Sequence, residues 1–91
     1  MNFKKTLNTS YIISSIKKDV DYAIQHYNNG NSEWKTYVRI SYYKFRTLLL
    51  VGLESDFSTA YEELVQETGY RKLYKYKEIS DYILKLTDID I

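Results

Sequence analysis

The chain has 91 residues, which is enough for one small domain, so we expect a single domain over residues 1–91 with frayed ends at about 1–8 and 88–91. It has no cysteine and one histidine, which excludes disulfides, thiolate metal sites and thiol nucleophiles. Thirteen Lys and Arg residues balance twelve Asp and Glu residues, for a net charge of +1. This balance argues against an acidic mimic of DNA and against a histone-like basic coat.

The first segment has the periodicity of a helix. Its apolar residues recur at steps of three or four, as on one helix face: Ile12, Ile16, Val20, Ala23 and Tyr27. Thr9 or Ser10 is suited to cap the N-terminus, because a hydroxyl accepts a hydrogen bond from a backbone N–H there. Gly30 is suited to end the helix, because it tolerates the left-handed backbone of a C-terminal cap. We therefore predict a helix from Thr9 or Ser10 to about Asn28.

The second segment, from about Ser32 to Val51, fits two structures. As a helix it is capped by Ser32, and seven large residues share one face: Trp34, Tyr37, Val38, Tyr42, Phe45, Leu48 and Leu49. As strands, the even-numbered residues from 34 to 40 form one side, and the β-branched and aromatic content is typical of a hairpin. That alternation fails near residues 42–43, where no Gly, Pro, Asn or Asp supplies a turn. We favour the helix and keep a β-hairpin at about 33–51 as the alternative.

Two further helices are predicted in the rest of the chain. One runs from Ser55 or Asp56 to Thr68, before Gly69, and the other from about Tyr70 to Thr87. The stripe of the last one is Leu73, Tyr76, Ile79, Ile83 and Leu86. Its first half, 70–77, also fits a short edge strand. Four helices with short connections predict an all-α fold, either a small four-helix bundle or an orthogonal helical array, and the alternative is an α+β fold with the hairpin.

No constellation of residues in the sequence indicates catalysis. His26 lies near the C-terminal end of the first predicted helix, where a cation interacts favourably with the helix dipole, and this is a simpler role than acid–base chemistry. Glu62, Glu63 and Glu67 lack a further residue at metal-ligand spacing, so we interpret them as a solvated acidic face. A nucleophile elbow and a glycine-rich phosphate loop are both missing. We expect no enzyme activity, no metal site and no cofactor.

The eleven tyrosines are more than a small helical core is expected to bury, because each buried hydroxyl needs a hydrogen-bonding partner. We expect Tyr43, Tyr70 and Tyr74 to be among those that expose their rings. Basic residues accompany these tyrosines in two patches, which are our candidate partner-binding residues. The first basic patch is Lys35, Arg39, Tyr43 and Arg46, and the second basic patch is Tyr70, Arg71, Lys72, Tyr74 and Lys75.

These patches lead to two functional hypotheses. The leading one is a non-enzymatic protein-binding module, such as a small inhibitor or regulator, that contacts a larger acidic or mixed protein partner. The alternative is a small nucleic-acid-binding regulator of loosely helix-turn-helix type, because basic residues follow Gly69 between two predicted helices. Val65 and Lys75 depart from that motif, which has an alanine and an apolar residue at those positions.

Composition also bears on origin, compartment and association. Phe, Tyr, Met, Ile, Asn and Lys greatly outnumber Gly, Ala, Arg and Pro, a bias typical of AT-rich genomes such as those of phages or other mobile elements. The apolar run 48–51 is far shorter than the roughly 20 residues of a membrane-spanning helix, and 6–10 is too polar for a signal peptide. We expect a cytoplasmic protein without membrane contact. A homodimer is a further expectation, since a small core gains stability when rings are buried against a second copy.

Overall fold

Helices account for nearly all of the computed structural model, which describes residues 7–52 and 57–90 and the side chains of 10–50 and 61–88. They are α1 (Leu7–Asn28), α2 (Trp34–Gly52), α3 (Phe57–Thr68), a 3₁₀ helix (Tyr70–Lys75) and α4 (Lys77–Asp90). The described residues contain no strand. The predicted all-α fold is therefore confirmed, and the alternatives of a hairpin at 33–51 and an edge strand at 70–77 are wrong.

Helix α1 ends where the sequence predicts and begins earlier than predicted. Gly30 adopts a left-handed backbone with φ of 71°. Its N–H donates to the Tyr27 carbonyl (3.1 Å), and the N–H of Asn31 donates to the His26 carbonyl (2.9 Å). This pair of bonds is a Schellman motif, which satisfies carbonyls that the helix itself leaves open. At the other end α1 already includes residues 9–10, so the predicted cap there was wrong.

Helix α2 is continuous from Trp34 to Gly52, which confirms the single helical phase predicted for this segment. Asn31, rather than the predicted Ser32, supplies the side-chain oxygen in the turn before it. The backbone N–H of Glu33 donates to Asn31 Oδ1 at 2.9 Å. An asparagine side chain suits this position, because it readily bonds to the backbone two residues on. The cap predicted for the third helix, Ser55 or Asp56, lies outside the described residues.

Helix α4 begins at Lys77, so the prediction of one helix from Tyr70 was wrong. Gly69 takes a left-handed backbone with φ of 70°, and the chain continues as the 3₁₀ helix. Tyr76, which follows it, is extended (φ −110°, ψ 118°). The Thr68 hydroxyl donates to the Leu64 carbonyl (2.8 Å) and accepts from the Tyr70 N–H (3.2 Å). These bonds fix the chain direction after α3. After this turn the chain forms a short 3₁₀ helix, and the extended backbone of Tyr76 separates it from α4.

The core lies between the inward faces of all five helices. Its fully buried members include Ile16, Val20, Val38, Leu48, Leu64, Leu73 and Ile79. Helices α1 and α2 pack along most of their length, and a half-buried ion pair joins them. Lys44 Nζ lies 2.8 Å from Asp19 Oδ2 and also donates to the Ser15 hydroxyl. None of the described helices combines the length and apolar character needed to cross a membrane.

Candidate functional site

The first basic patch lies on the outward face of α2. Lys35, Arg39, Tyr43 and Arg46 are all exposed, as the helical periodicity predicts for positions opposite the buried stripe. The helix carries these cations together with Lys44, and its 19 residues include no Asp or Glu. Lys44 is committed to Asp19 across the α1–α2 contact. All charged residues that α2 itself contributes to its outward face are therefore basic.

Exposed apolar side chains run beside these cations on the same helix. Tyr43 is 39% exposed, Ile40 37% and Leu50 70%. Tyr43 also lines a groove of about 420 Å³ between α2 and α1, where Tyr11 is 77% exposed. Contiguous apolar and aromatic surface bordered by charge is typical of a protein-interaction site.

The structure divides the second basic patch. Arg71, Lys72 and Lys75 are exposed on the 3₁₀ helix, and Tyr74 is 44% exposed. Tyr70, which we predicted to expose its ring, is only 3% exposed, so that prediction was wrong. Of its three cations, Arg71 is paired with a carboxylate of α3.

Burial of Tyr70 follows from ring packing. The ring stacks on Phe45 of α2, with centroids 4.4 Å apart and an interplanar angle of 18°. This contact is worth about 0.5–1.5 kcal/mol beyond the area that it buries. Tyr74 packs edge-on against the Tyr70 ring, with centroids 6.0 Å apart. Of the eleven tyrosines, the four with exposed rings are Tyr11, Tyr22, Tyr43 and Tyr74.

Arg71 Nη2 lies 3.0 Å from both carboxylate oxygens of Glu62 on α3. The pair is exposed, so it contributes little to stability, but it lowers the net positive charge of the second basic patch. Glu62 is thus paired with Arg71. Among the described residues, no group of three His, Cys, Asp or Glu side chains could hold a metal.

His26 lies in the last turn of α1, as predicted. Its ring stacks on Tyr37 of α2, with centroids 5.2 Å apart and an interplanar angle of 6°. The contact adds to the packing of α1 on α2. A histidine held in a parallel ring stack at a helix C-terminus has a structural role that needs no catalytic partner.

A cavity that sequence reasoning missed lies between α2, α3, the 3₁₀ helix and α4. It has a volume of about 190 Å³, and its walls include Tyr42, Phe45, Arg46, Tyr61, Tyr70 and Tyr74. We call it the aromatic cavity. Helical periodicity predicts that Tyr42 lies on the same face of α2 as Phe45 but gives no sign that it would share a cavity with Tyr70 and Tyr74.

Tyr70 lines this cavity, and its buried hydroxyl has no hydrogen-bonding partner within the described part of the chain. Burial raises the pKa of Tyr70 well above its usual range, and the phenols of Tyr74, Tyr42 and Tyr61 raise it further. Burial also raises the pKa of Tyr74, and the phenols of Tyr61 and Tyr42 raise it further. Phenols with raised pKa values stay protonated near neutral pH and can donate hydrogen bonds.

Comparison with protein-family models, curated proteins and solved structures finds no match for this chain. The fold and surfaces alone define it as a small helical protein with a basic, partly apolar helix face and a separate aromatic cavity.

Proposed function

We propose that the protein is a non-enzymatic protein-binding module whose contact surface is the outward face of α2. We call this surface the α2 face, and it consists of Lys35, Arg39, Ile40, Tyr43, Arg46 and Leu50. The observation that carries the proposal is the composition of α2, which presents cations and exposed apolar side chains together and contains no acidic residue.

Such a surface suits an acidic partner with apolar contact residues. Uniform positive charge accelerates encounter with an acidic surface and disfavours basic ones. Apolar and aromatic side chains supply most of the affinity once the surfaces meet, and Tyr and Arg are enriched among the residues that dominate binding energy. Arg39 and Tyr43, four residues apart on one face, combine both properties.

The α2 face is the better candidate of the two basic patches. In the second basic patch, Glu62 offsets the charge of Arg71, and the Tyr70 ring is buried against Phe45. Lys72 and Lys75 remain as exposed cations, but lysine alone on a short 3₁₀ helix offers little contact area. We therefore assign the second patch at most a secondary part in binding.

The charge on α4 favours protein over nucleic acid as the partner. In a helix-turn-helix protein the second helix enters the major groove. Helix α4 would have that position, yet it carries two lysines against Glu78, Asp81, Asp88 and Asp90, a net charge of 2 − 4 = −2. An acidic helix is repelled by phosphates. The nucleic-acid hypothesis then depends on α2 and on the exposed cations of the 3₁₀ helix, Arg71, Lys72 and Lys75.

A regulator or inhibitor of a larger protein needs little more than a rigid contact surface, and this is the biological role we propose. The residue composition supports an origin in a phage or other mobile element of an AT-rich genome, with action in the cytoplasm. The homodimer expected from the sequence stays a prediction, which sedimentation at high micromolar concentration checks.

Affinity capture with two matched variants tests the proposal. The α2-face variant carries Arg39→Glu and Tyr43→Ala. The control variant carries Lys17→Glu and Tyr22→Ala on α1, with the same charge change and the same loss of one exposed ring. Asp19 faces α2, where it pairs with Lys44. Lys17 lies two positions earlier, a rotation of about 200° around α1, so its side chain faces away from α2. Among the described side chains, each of these tyrosines has one ring contact, Tyr43 with Tyr42 and Tyr22 with Tyr37.

Immobilised wild type and control variant should retain the same partner protein from a lysate of the cell that makes the protein, and the α2-face variant should lose it. The expected loss is more than tenfold in affinity, or about 1.4 kcal/mol. Nuclease treatment should leave the captured partner in place. Loss of the partner on nuclease treatment, with steep weakening by salt, would instead support nucleic-acid binding.

A further inference from the structure

Helix α2 carries a second stripe of side chains on its outward side, opposite the one that the core buries. Its members are exposed and recur in steps of three, four and three residues: Ile40, Tyr43, Thr47 and Leu50. At about 100° per residue these positions fall within roughly 80° of arc and extend over about three turns. We call them the outer stripe. Their spacing is that of the seam along which one helix packs against another.

The outer stripe borders the groove between α2 and α1, which is open to solvent. Tyr43 and Thr47 line the groove from α2, and the α1 side is formed by Tyr11, Ile12 and Ser15. Two packed helices with apolar and aromatic residues along the groove between them offer a binding site for a third helix. An amphipathic helix that lays its apolar face into such a groove is a common form of protein recognition.

Cations lie on both sides of the outer stripe. Arg39 and Lys35 are exposed on α2 and lie within about 40° of arc along one edge. The Lys35 ammonium is 5.7 Å from the centre of the Trp34 ring, a contact that does not neutralise its charge. Arg46 is on the same edge but already interacts within its own chain, so the sign of the charge is assigned without it. On the other side, Lys18 is exposed on α1, one turn beyond the wall of the groove.

The charge and spacing of this surface define the chemistry of a complementary partner. Asp19 does not offset the cations, because its side chain is only 14% exposed and is paired with Lys44. A helix with its own apolar stripe, bordered by acidic residues, matches both the seam and the charge. We propose that the groove between α1 and α2 binds an acidic amphipathic helix of the partner protein, an inference that rests on the α2 face being the contact surface. The apolar residues of that helix pack on the outer stripe, and its carboxylates lie beside Arg39 and Lys18.

A second copy of this chain fits the groove less well. Two α2 helices packed face to face would bring the Arg39 side chains of both copies together, and like charges repel. Helix α4 is acidic, but among its described side chains Leu84 is the one exposed large apolar residue. A single leucine does not cover a stripe of about three turns. The occupant is therefore a helix of another protein.

A designed acidic peptide is the probe that tests this inference. It has about 18 residues, with leucines at heptad spacing and glutamates beside them. Two comparison peptides are the same sequence with lysine in place of each glutamate, and a shuffled sequence of equal composition without helical periodicity. Titration of isotope-labelled protein, followed by NMR, should give saturable shifts at Tyr11, Tyr43 and Thr47, with a Kd below about 1 mM for the acidic peptide. Both comparison peptides should bind at least about tenfold more weakly.

Two pairs of variants assign the binding to this surface. Leu50→Ser removes an apolar member of the outer stripe, and Leu84→Ser is its control, since that leucine is 60% exposed on α4. Arg39→Gln removes a cation beside the stripe, and Lys17→Gln is its control, on the side of α1 that faces away from α2. Affinity for the acidic peptide should fall about fivefold or more in Leu50→Ser and in Arg39→Gln, and should change less than about twofold in the controls.

The inference is overturned if the acidic peptide gives no saturable shift, or if either comparison peptide binds as tightly. Unchanged affinity in both Leu50→Ser and Arg39→Gln would also overturn it. A wild-type dimer in sedimentation that Leu50→Ser converts to a monomer would show that a second copy covers the groove, which contradicts the inference as well.

These outcomes are distinct from those of partner capture. If the α2-face variant loses the captured partner and the peptide does not bind, the α2 face is a protein-binding surface and its occupant is not an acidic helix. If the α2-face variant retains the partner as wild type does, the proposed function is refuted, whatever the peptide does.

Discussion

Replacement of Tyr70 by phenylalanine should stabilise the protein in the absence of any ligand. The substitution keeps the ring that stacks on Phe45 at 4.4 Å and removes a buried hydroxyl that no described residue pairs with. An unsatisfied buried hydroxyl costs about 1–3 kcal/mol, so the free energy of unfolding should rise by up to that amount. For a domain of this size, each kcal/mol corresponds to a melting temperature about 4–8 °C higher.

Urea denaturation and thermal melting of purified protein measure the effect. Tyr43→Phe is the control, because that ring is 39% exposed and loss of its hydroxyl should change stability by no more than about 0.5 kcal/mol. Destabilisation of the Tyr70→Phe variant by 1 kcal/mol or more would refute the reasoning. It would mean that the hydroxyl has a stabilising partner in solution, such as a bound water.

The same variant should respond differently to alkaline pH. Burial raises the pKa of Tyr70 in the folded state, so above the ordinary phenol pKa of about 10 the unfolded chain loses a proton that the folded chain keeps. Wild-type stability should therefore fall as pH rises past that value, by up to about 1.4 kcal/mol per pH unit for this group. Tyr70→Phe should show a shallower fall.

Three other substitutions test the fold by urea denaturation. Leu73→Ala should lower the free energy of unfolding by about 2–5 kcal/mol, because Leu73 is fully buried on the 3₁₀ helix and its loss leaves a cavity. A loss under about 1 kcal/mol would contradict its place in the core. Gly69→Ala should lower the free energy of unfolding by about 1 kcal/mol, because alanine disfavours the left-handed backbone. The added Cβ would lie 3.6 Å from the Lys72 side chain, so no clash adds to this loss. Unchanged stability would argue against the left-handed conformation. Lys44→Met should lower the free energy of unfolding by about 1 kcal/mol, because it leaves the largely buried Asp19 carboxylate without its cation. Unchanged stability would mean that water fully screens the pair.

Periodicity predicted α2 well and the start of α4 poorly, for one physical reason. In α2 the buried residues Trp34, Val38, Phe45 and Leu48 keep one helical phase over the whole element. Before α4, Leu73, Tyr76 and Ile79 also recur in steps of three as on a single helix, yet the 3₁₀ segment and the extended backbone of Tyr76 interrupt it. Apolar spacing shows which side chains are buried and does not separate an α-helix from a 3₁₀ turn followed by a break.

The candidate surfaces were predicted where exposure follows from position on one helix. Arg39 and Tyr43 are exposed because they lie opposite the buried stripe of α2, which the sequence shows directly. Tyr70 is buried because Phe45, far away in the chain, stacks on it. Contacts between distant segments create the aromatic cavity in the same way, and local patterns carry no information about them.

The most direct test of the α2 face compares how much partner protein the α2-face variant and the control variant retain, at equal protein concentration and with unchanged melting temperatures. The account predicts that Arg39→Glu with Tyr43→Ala lowers partner affinity more than tenfold, while Lys17→Glu with Tyr22→Ala leaves it within a factor of two or so of wild type. Equal retention by both variants would contradict it, and the α2 face would then be solvated surface without a binding role.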